Sequence, residues 1–150
     1  MTAFSLSRDI EIQADPAVVH ALLDDFEKWR GWSPWEQVDP NLERTYSGAE
    51  SGVGAHYAWQ GNKKAGSGTM EITGSTPERI DIDLEFLAPF KASYQTVFTL
   101  TPAGSGTRLD WTMSGDRNLI FTVLGKLFFD RSIAKDFERG LDSLKARAEQ

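Results

Sequence analysis

The sequence predicts an α+β fold, in which a curved antiparallel sheet of about seven strands wraps around a long C-terminal helix. Two patterns support this prediction. Apolar and polar residues alternate from 79 to 86, as they do in a strand with one face covered and one face in water. From 130 to 149, apolar residues instead recur every three or four positions on a charged segment, which is typical of an amphipathic helix.

The beginning of the chain predicts a strand followed by a short helix. Apolar residues at alternating positions from 4 to 12 indicate a half-buried strand. Asp15 favours the N-cap position and Pro16 the first helical turn, so a helix is expected over 16–23. A second helical fragment is expected over 26–29.

Six more strands are predicted between Leu42 and Gly115, because turn-forming residues divide this interval into short alternating segments. The turn signals are Ser47-Gly48, Gly52-Val53-Gly54, Gly61-Asn62, Thr76-Pro77 and Ala103-Gly104-Ser105-Gly106. The last helix, predicted over Asp130 to Glu149, contains about 20 residues and spans roughly 30 Å, enough to cross the sheet. Its apolar stripe consists of Ile133, Phe137, Leu141 and Leu144.

Length and charge narrow the classes of function. A chain of 150 residues fits one domain, so we expect a single ligand-binding domain over 1–150. The 22 carboxylates outnumber the 16 Lys and Arg residues and give a net charge of −6, which repels polyanions. Nucleic acid is therefore not an expected partner.

The sequence contains no cysteine, which excludes disulfides, thiolate nucleophiles and cysteine metal ligands. The two histidines lack metal-binding spacing, so we expect no metal and no cofactor. The first residues do not resemble a signal peptide, and the longest apolar stretch is shorter than the ~20 residues of a membrane span. We therefore expect a cytoplasmic protein without stable membrane insertion.

The five tryptophans are the most informative side chains. Trp29, Trp32 and Trp35 lie within seven positions, and Trp59 and Trp111 lie in alternating strand segments. Because Trp is costly to leave in water and bulky to bury, the cluster is typical of the wall or lid of an apolar cavity.

Together with its neighbours on the covered face, this cluster predicts a binding site for a small hydrophobic molecule. Aromatic rings supply apolar contact area, and methionine adapts to ligands of variable shape. One or two of the polar residues Tyr57, Tyr94, Thr96 and Arg8 are expected to orient the ligand. The predicted contacts are Trp29, Trp32, Tyr57, Trp59, Met70, Phe86, Tyr94, Thr96, Phe98, Trp111, Met113, Phe128, Phe137 and Leu141.

The candidates for acid–base chemistry are less well placed, and no catalytic residue is predicted. His20 lies beside apolar residues of the first helix, and His56 has outward strand parity, so we interpret both as surface or partly packed. Glu71 and Asp110 also have outward parity. Arg8 has inward parity, which fits either a partner for a ligand carboxylate or an edge residue whose head reaches water.

Two segments each allow a second interpretation. The stretch 119–129 is apolar on nearly every side, and we interpret it as a buried connector that closes the cavity entrance, with a homodimer interface as the alternative. The loop 48–54 contains three glycines, which fits either an ordinary hairpin loop or a mobile gate.

Five segments of the chain carry a family resemblance. They are Ala14–Val19, Asp25–Trp29 with Trp32–Trp35, Tyr57–Asn62, Gly68–Ile72 and Gly106–Gly115. They resemble the polyketide cyclase/dehydrase-like branch of the START/Bet v 1 (SRPBCC) superfamily, and the resemblance covers nearly the whole chain. It implies the helix-grip fold, with a deep hydrophobic cavity that the superfamily uses for lipids, sterols, polyketides and plant hormones. It implies no single reaction.

We therefore favour a non-catalytic protein that binds a lipid, polyketide or aromatic compound between the sheet and the C-terminal helix. The alternative in the same cavity is a cyclase, dehydratase or hydrolase, in which the pocket folds the substrate and a Tyr or carboxylate moves a proton. A third hypothesis is a partner-binding module that resembles the Hsp90-activator relatives of the superfamily and uses stretch 119–129 as its contact.

Overall fold

The computed structural model describes residues 2–33, 41–62, 66–88, 91–117 and 126–150, with the backbone alone at 2–4, 116–117 and 126–133. Within these ranges the strands are β1 (Thr2–Ile12), β2 (Glu43–Gly48), β3 (Ala55–Gln60), β4 (Ser67–Thr76), β5 (Arg79–Ala88), β6 (Ala92–Ala103) and β7 (Gly106–Arg117). The helices are α1 (Pro16–Leu23), a 3-10 helix (Phe26–Gly31) and α2 (Lys126–Ala148). The predicted α+β architecture is confirmed.

All seven strands form one antiparallel sheet in the order β1-β7-β6-β5-β4-β3-β2. From β2 to β7 each strand pairs with the next along the chain, and β1 pairs with β7. This meander follows from the turn residues. Gly104, for example, has φ +59° between β6 and β7, a left-handed conformation that a side chain disfavours.

The helix α1 has the predicted bounds, but it begins for a different reason. Asp15 occupies the N-cap position with extended backbone, yet its carboxylate makes no capping hydrogen bond in the part of the chain described. Its carbonyl oxygen accepts from the N–H groups of Val18 and Val19 instead. Pro16, which is preset for the first turn and has no N–H to satisfy, therefore defines the helix start.

The helix α2 begins at Lys126 rather than at Asp130, so the predicted start was wrong. Residues 126–129 had been assigned to the apolar connector, although Lys and Leu are good helix formers and continue the helical segment upstream. Further along α2, the buried side chains include Phe137, Leu141, Leu144 and Ala148. Their spacing of four, three and four positions aligns them on one face, which packs against the sheet.

The described strand side chains that the sequence predicts to face inward are buried or half-buried. On β5, Ile80 and Ile82 are fully buried, whereas Asp83 and Glu85 on the opposite face are exposed. The buried face continues onto the neighbouring strand, because Ile80 pairs with Phe98 of β6, which is also fully buried. The core therefore lies between the concave face of the sheet and α2.

Two ionic residues attach the end of α2 to the strand at the edge of the sheet. The Glu149 carboxylate accepts the N–H of Gln13 at 2.7 Å and lies 2.5 Å from the Lys145 ammonium group. Lys145 also donates to the Glu11 carbonyl at 3.0 Å. The hydrogen bond from Lys145, followed by that from Gln13, lowers the pKa of the Glu149 carboxyl below its ordinary value of 4.5.

We predict that Glu149→Gln lowers the melting temperature slightly above pH 5 and has no effect in strong acid. Because the folded-state pKa of Glu149 is lowered, its stabilisation is present above about 4.5 and disappears as the pH falls through the folded value. Thermal unfolding at several pH values measures this effect, with Asp142→Asn on the same helix as the control. A difference from wild type that does not depend on pH contradicts the assignment.

Candidate ligand-binding site

The concave face of the sheet carries ordered rows of side chains, because antiparallel register places residues of one parity opposite each other. In one row, Tyr57 pairs with Met70, Met70 with Leu84, and Leu84 with Tyr94. The rows run from β2, at one edge of the sheet, towards β7 near the other edge. The predicted contact residues of the strands therefore share one surface.

One half of this surface is filled by protein. The Trp111 and Phe137 rings stack at 3.9 Å between centroids with 6° between their planes, and they are 1 % and 0 % exposed. Trp32 packs edge-on against Trp111 at 5.7 Å, and Trp29 packs edge-on against Phe98 at 5.8 Å. All five rings are buried, so we call this half the packed half.

The two tryptophans of the packed half are also tethered by hydrogen bonds. Trp29 Nε1 donates to the carbonyl of Leu23 at 2.8 Å, and Trp32 Nε1 donates to the carbonyl of Leu22 at 3.0 Å. Both acceptors lie at the end of α1, where helical carbonyls have no partner within the helix. These hydrogen bonds thus attach the end of α1 to two tryptophans that pack against the sheet.

The other half carries a chain of rings that are less completely covered. Tyr46 lies 5.3 Å from Tyr57, Tyr57 lies 6.0 Å from Trp59, and Trp59 lies 5.8 Å from Phe86. Tyr57 is buried, whereas Tyr46, Trp59, Met70 and Phe86 are half-buried against the core. We call these five residues the aromatic shelf.

Gly68 leaves room for the Trp59 ring on the aromatic shelf. Gly68 pairs with Trp59 on β3, and a Cβ atom at Gly68 would lie 2.4 Å from the end of the indole ring. The ring therefore covers the bare backbone of β4 and reaches Phe86 on β5. The same Cβ atom would lie 2.3 Å from the backbone carbonyl oxygen of Glu85, so a glycine is required here by close approach of both a ring and the neighbouring strand.

The structure brings together all the predicted contact residues whose side chains it describes, which leaves out Phe128 alone. Trp29, Trp32, Phe98, Trp111 and Phe137 form the packed half, and Tyr57, Trp59, Met70 and Phe86 belong to the aromatic shelf. Buried residues on or facing the concave side complete the described set, namely Tyr94, Thr96, Met113 and Leu141. The side chains of Phe128 and Trp35 lie outside the described residues, as does most of stretch 119–129.

Sequence analysis missed Tyr46 as a member of the shelf. Its parity on β2 carried the signal, because Arg44 and Tyr46 alternate with Glu43, Thr45 and Ser47. Arg8, in contrast, has a partner within the protein. Its guanidinium lies 3.5 Å from the Glu138 carboxylate of α2, donates to the Ser7 carbonyl at 2.8 Å, and is 40 % exposed. It fits the interpretation of an edge residue whose head reaches water.

A cleft of about 150 Å³ lies between the 3-10 helix and the β2–β3 hairpin. Its apolar floor includes Phe26 and Ala55, and Tyr46 connects it to the aromatic shelf. The loop 48–54 borders the cleft, where Gly48, Gly52 and Gly54 all have positive φ. Its lining also includes the ionisable residues Asp25, Glu27, Glu50 and His56.

The two histidines lie where the sequence predicts, on partly packed positions. His56 is half-buried beside the Ser47 hydroxyl, at 3.4 Å. His20 lies between two partners, with Nε2 3.2 Å from the Ser75 hydroxyl and Nδ1 3.5 Å from the Asp24 carboxylate. Burial is the main cause that raises the pKa of Asp24, and the nearby His20 acts in the opposite direction.

The described ranges contain neither a group of metal ligands nor a membrane-spanning helix. No three His, Asp or Glu side chains there come together in a group that suits a metal ion. No helix among those residues is long and apolar enough to cross a membrane.

Comparison with known families gives one match over nearly the whole chain. Residues 3–149 match the model of the family described as polyketide cyclase / dehydrase and lipid transport. No curated protein matches the sequence significantly.

Solved structures share the fold at low sequence identity. Protein CV1439 from Chromobacterium violaceum has a TM-score of 0.69 and 16 % identity, with 97 % of each chain covered. The Aha1 dimer from Colwellia psychrerythraea has a TM-score of 0.68 and 17 % identity over 97 % of this chain and 96 % of that one. CalU16 from Micromonospora echinospora has a TM-score of 0.66 and 18 % identity over 97 % and 76 %. Likeness at these identities establishes the fold only.

The division of the concave face predicts that a Phe→Ala substitution lowers the free energy of unfolding more in the packed half than on the aromatic shelf. Phe137→Ala should reduce the free energy of unfolding by about 3–5 kcal/mol, because it leaves a cavity beside Trp111. Phe86→Ala should cost clearly less, since Phe86 is only half-buried and its space is open to water. Urea unfolding of both variants measures the difference, and equal costs contradict the division into halves.

Proposed function

Since the chain belongs to the polyketide cyclase / dehydrase and lipid transport family, we propose that it binds a small hydrophobic molecule on the aromatic shelf. The occupant is a lipid, a polyketide or an aromatic compound. The packed half serves as a rigid base and does not open for the ligand.

The uneven burial of the concave face is the observation that carries this proposal. Trp59, Met70 and Phe86 point to the covered side of the sheet yet are only half-buried, although the rings of the packed half are almost completely covered. Contiguous apolar surface left partly exposed in this way is typical of a ligand site. Met70 adds a flexible, polarisable side chain beside the rigid rings.

The apolar area that a ligand would bury on the aromatic shelf supports a moderate affinity. A ligand that buries about 300 Å² of apolar surface gains roughly 8 kcal/mol at about 25 cal/mol per Å², before the cost of association is subtracted. The dissociation constant expected from apolar contact alone is therefore in the micromolar range or weaker. Polar contacts act mainly on orientation.

Hydroxyl groups at the shelf are the candidates for that orientation. Tyr57 belongs to the shelf, and Tyr94 lies in the same row and contacts Phe86 at 5.9 Å. Thr96 lies one row deeper, opposite Ile82 and Met113, and it is buried. A ligand carbonyl or hydroxyl group that reaches this row meets donors in an otherwise apolar surface.

Catalysis at the same surface is the second candidate, because the family description includes cyclases and dehydrases. In that case the shelf folds a polyketide chain, and Tyr57 or Tyr94 moves a proton. Recovery of a bound polyketide after incubation separates the two functions. A binder releases it unchanged, whereas an enzyme releases a cyclised or dehydrated product.

A homodimer is a proposal of its own. The neighbour from Colwellia psychrerythraea is described as a dimer. The sequence interpretation placed the interface on stretch 119–129, most of which lies outside the described residues. The ligand proposal does not depend on it.

We predict that Trp59→Ala and Phe86→Ala each weaken the binding of 1-anilinonaphthalene-8-sulfonate by roughly fivefold or more, because each removes apolar contact worth about 1 kcal/mol. Fluorescence titration measures the dissociation constant. Leu87→Ala is the matched control, because Leu87 is the neighbour of Phe86 on β5 but is 50 % exposed. If the control weakens binding as much as Phe86→Ala, the probe does not bind on the shelf.

A further inference from the structure

The geometry points to a second site: Ser75, His20 and Asp24 form a nucleophile, base and orienting acid that hydrolyses small apolar esters. This site lies between α1 and β4, and it does not rest on the ligand proposal for the aromatic shelf. We call these three residues the serine site.

The three side chains are connected in the order that acyl transfer requires. The Ser75 hydroxyl lies 3.2 Å from Nε2 of His20, and the other ring nitrogen, Nδ1, lies 3.5 Å from the Asp24 carboxylate. A base that contacts the nucleophile through one nitrogen and a carboxylate through the other is held in the tautomer that accepts the serine proton. Both distances leave room to tighten when substrate binds.

Different local features of the fold position the three members of the serine site. His20 and Asp24 are four residues apart, so one helical face presents both side chains. Asp24 is held in place at the end of α1, because its N–H donates to the His20 carbonyl at 3.0 Å. Its own carbonyl accepts the N–H of Gly52 at 2.8 Å.

A β-bulge in β4 positions Ser75. Ile72 pairs with Ile82, and strict alternation would place Gly74 on the same face. The register shifts between Ile72 and Gly74, so that Ser75 lies opposite the inward residue Ile80. The bulge therefore turns Ser75 towards α1 and His20. Re-aiming a side chain in this way is a recurrent use of bulges next to active sites.

The serine site is partly shielded from water, and its side chains keep some exposure to solvent. The side chains of His20 and Asp24 are each 19 % exposed. Burial raises the pKa of Asp24, and the charges of Asp25 and Lys28 act on it in opposite directions. A partly desolvated carboxylate interacts more strongly with an imidazolium than one in water.

The rim of the site favours a small, uncharged ester. Gly52 bonds to Asp24 and Gly54 bonds to the Ile72 carbonyl at 2.9 Å, so the loop residue Val53 lies between the two elements of the site. Val53 is 58 % exposed and offers an apolar contact to an acyl chain. The net charge of −6 disfavours anionic esters.

The reaction is an ordinary two-step hydrolysis with water as the second reactant. The Ser75 oxygen attacks the ester carbonyl carbon and forms a new C–O bond, while its proton moves to Nε2 of His20. Collapse of the adduct breaks the bond to the leaving oxygen, which takes this proton and departs as the alcohol. Water then attacks the acyl-serine in the same way, releasing the carboxylic acid and the free Ser75 hydroxyl.

Covalent labelling tests the site directly. An alkyl fluorophosphonate should label the wild-type chain once, on the peptide that contains Ser75, as located by mass spectrometry. Ser75→Ala should abolish labelling, and Asp24→Asn should slow it by about tenfold or more. Ser47→Ala is the matched control. Ser47 lies 3.4 Å from His56, which forms no ion pair with a carboxylate in the described ranges.

A second measurement keeps the test independent of serine reactivity. The chain contains no cysteine, so Ser75→Cys creates a single thiol beside His20. Its alkylation by iodoacetamide at pH 7 should be about tenfold faster than in Ser75→Cys with His20→Ala, because the imidazole favours the thiolate. Equal alkylation rates, or fluorophosphonate labelling that survives Ser75→Ala, would overturn the proposal. So would the absence of labelling in folded wild-type protein.

Discussion

The stacking of Trp111 on Phe137 is the interaction on which the rest of the structure depends. It joins a central residue of β7 to the middle of α2 across parallel planes only 3.9 Å apart. Leu141, Leu144 and Ala148 continue the buried face of α2 beyond this pair, and Lys145 attaches its end to β1 through the Glu11 carbonyl. Trp32 and Phe98 close around the same pair, at 5.7 Å and 5.1 Å from Trp111. Side chains packed this closely have little room to rearrange.

In our proposal, the packed half restricts where a ligand binds. The partly buried rings lie from the middle of the sheet to the edge opposite β1, with Phe86 on β5, Trp59 on β3 and Tyr46 on β2. A ligand there replaces water rather than protein, so binding requires no rearrangement of the core. The serine site is separate for a related reason, because α1 is held down by the tryptophans and can present His20 and Asp24 at a fixed distance from β4.

Local patterns were sufficient to predict the strands, the bounds of α1 and the inward parity of residues such as Ile82 and Phe98. They were insufficient where the outcome depends on distant residues. The division of the concave face depends on the position of Trp29 and Trp32 against β6, which no local spacing encodes. The inward position of Ser75 depends on a bulge between Ile72 and Gly74 that the alternation itself conceals.

The tryptophans themselves provide the most direct test of a ligand site confined to the aromatic shelf. Their indole ¹⁵N–¹H resonances, assigned by single Trp→Phe variants, can be followed by NMR while a C16 fatty acid is added. The account predicts a large shift for Trp59 and small shifts for Trp29, Trp32 and Trp111, whose rings are sealed in the packed half. Large shifts for those three resonances with an unmoved Trp59 signal would contradict it, because the ligand would then lie within the packed half.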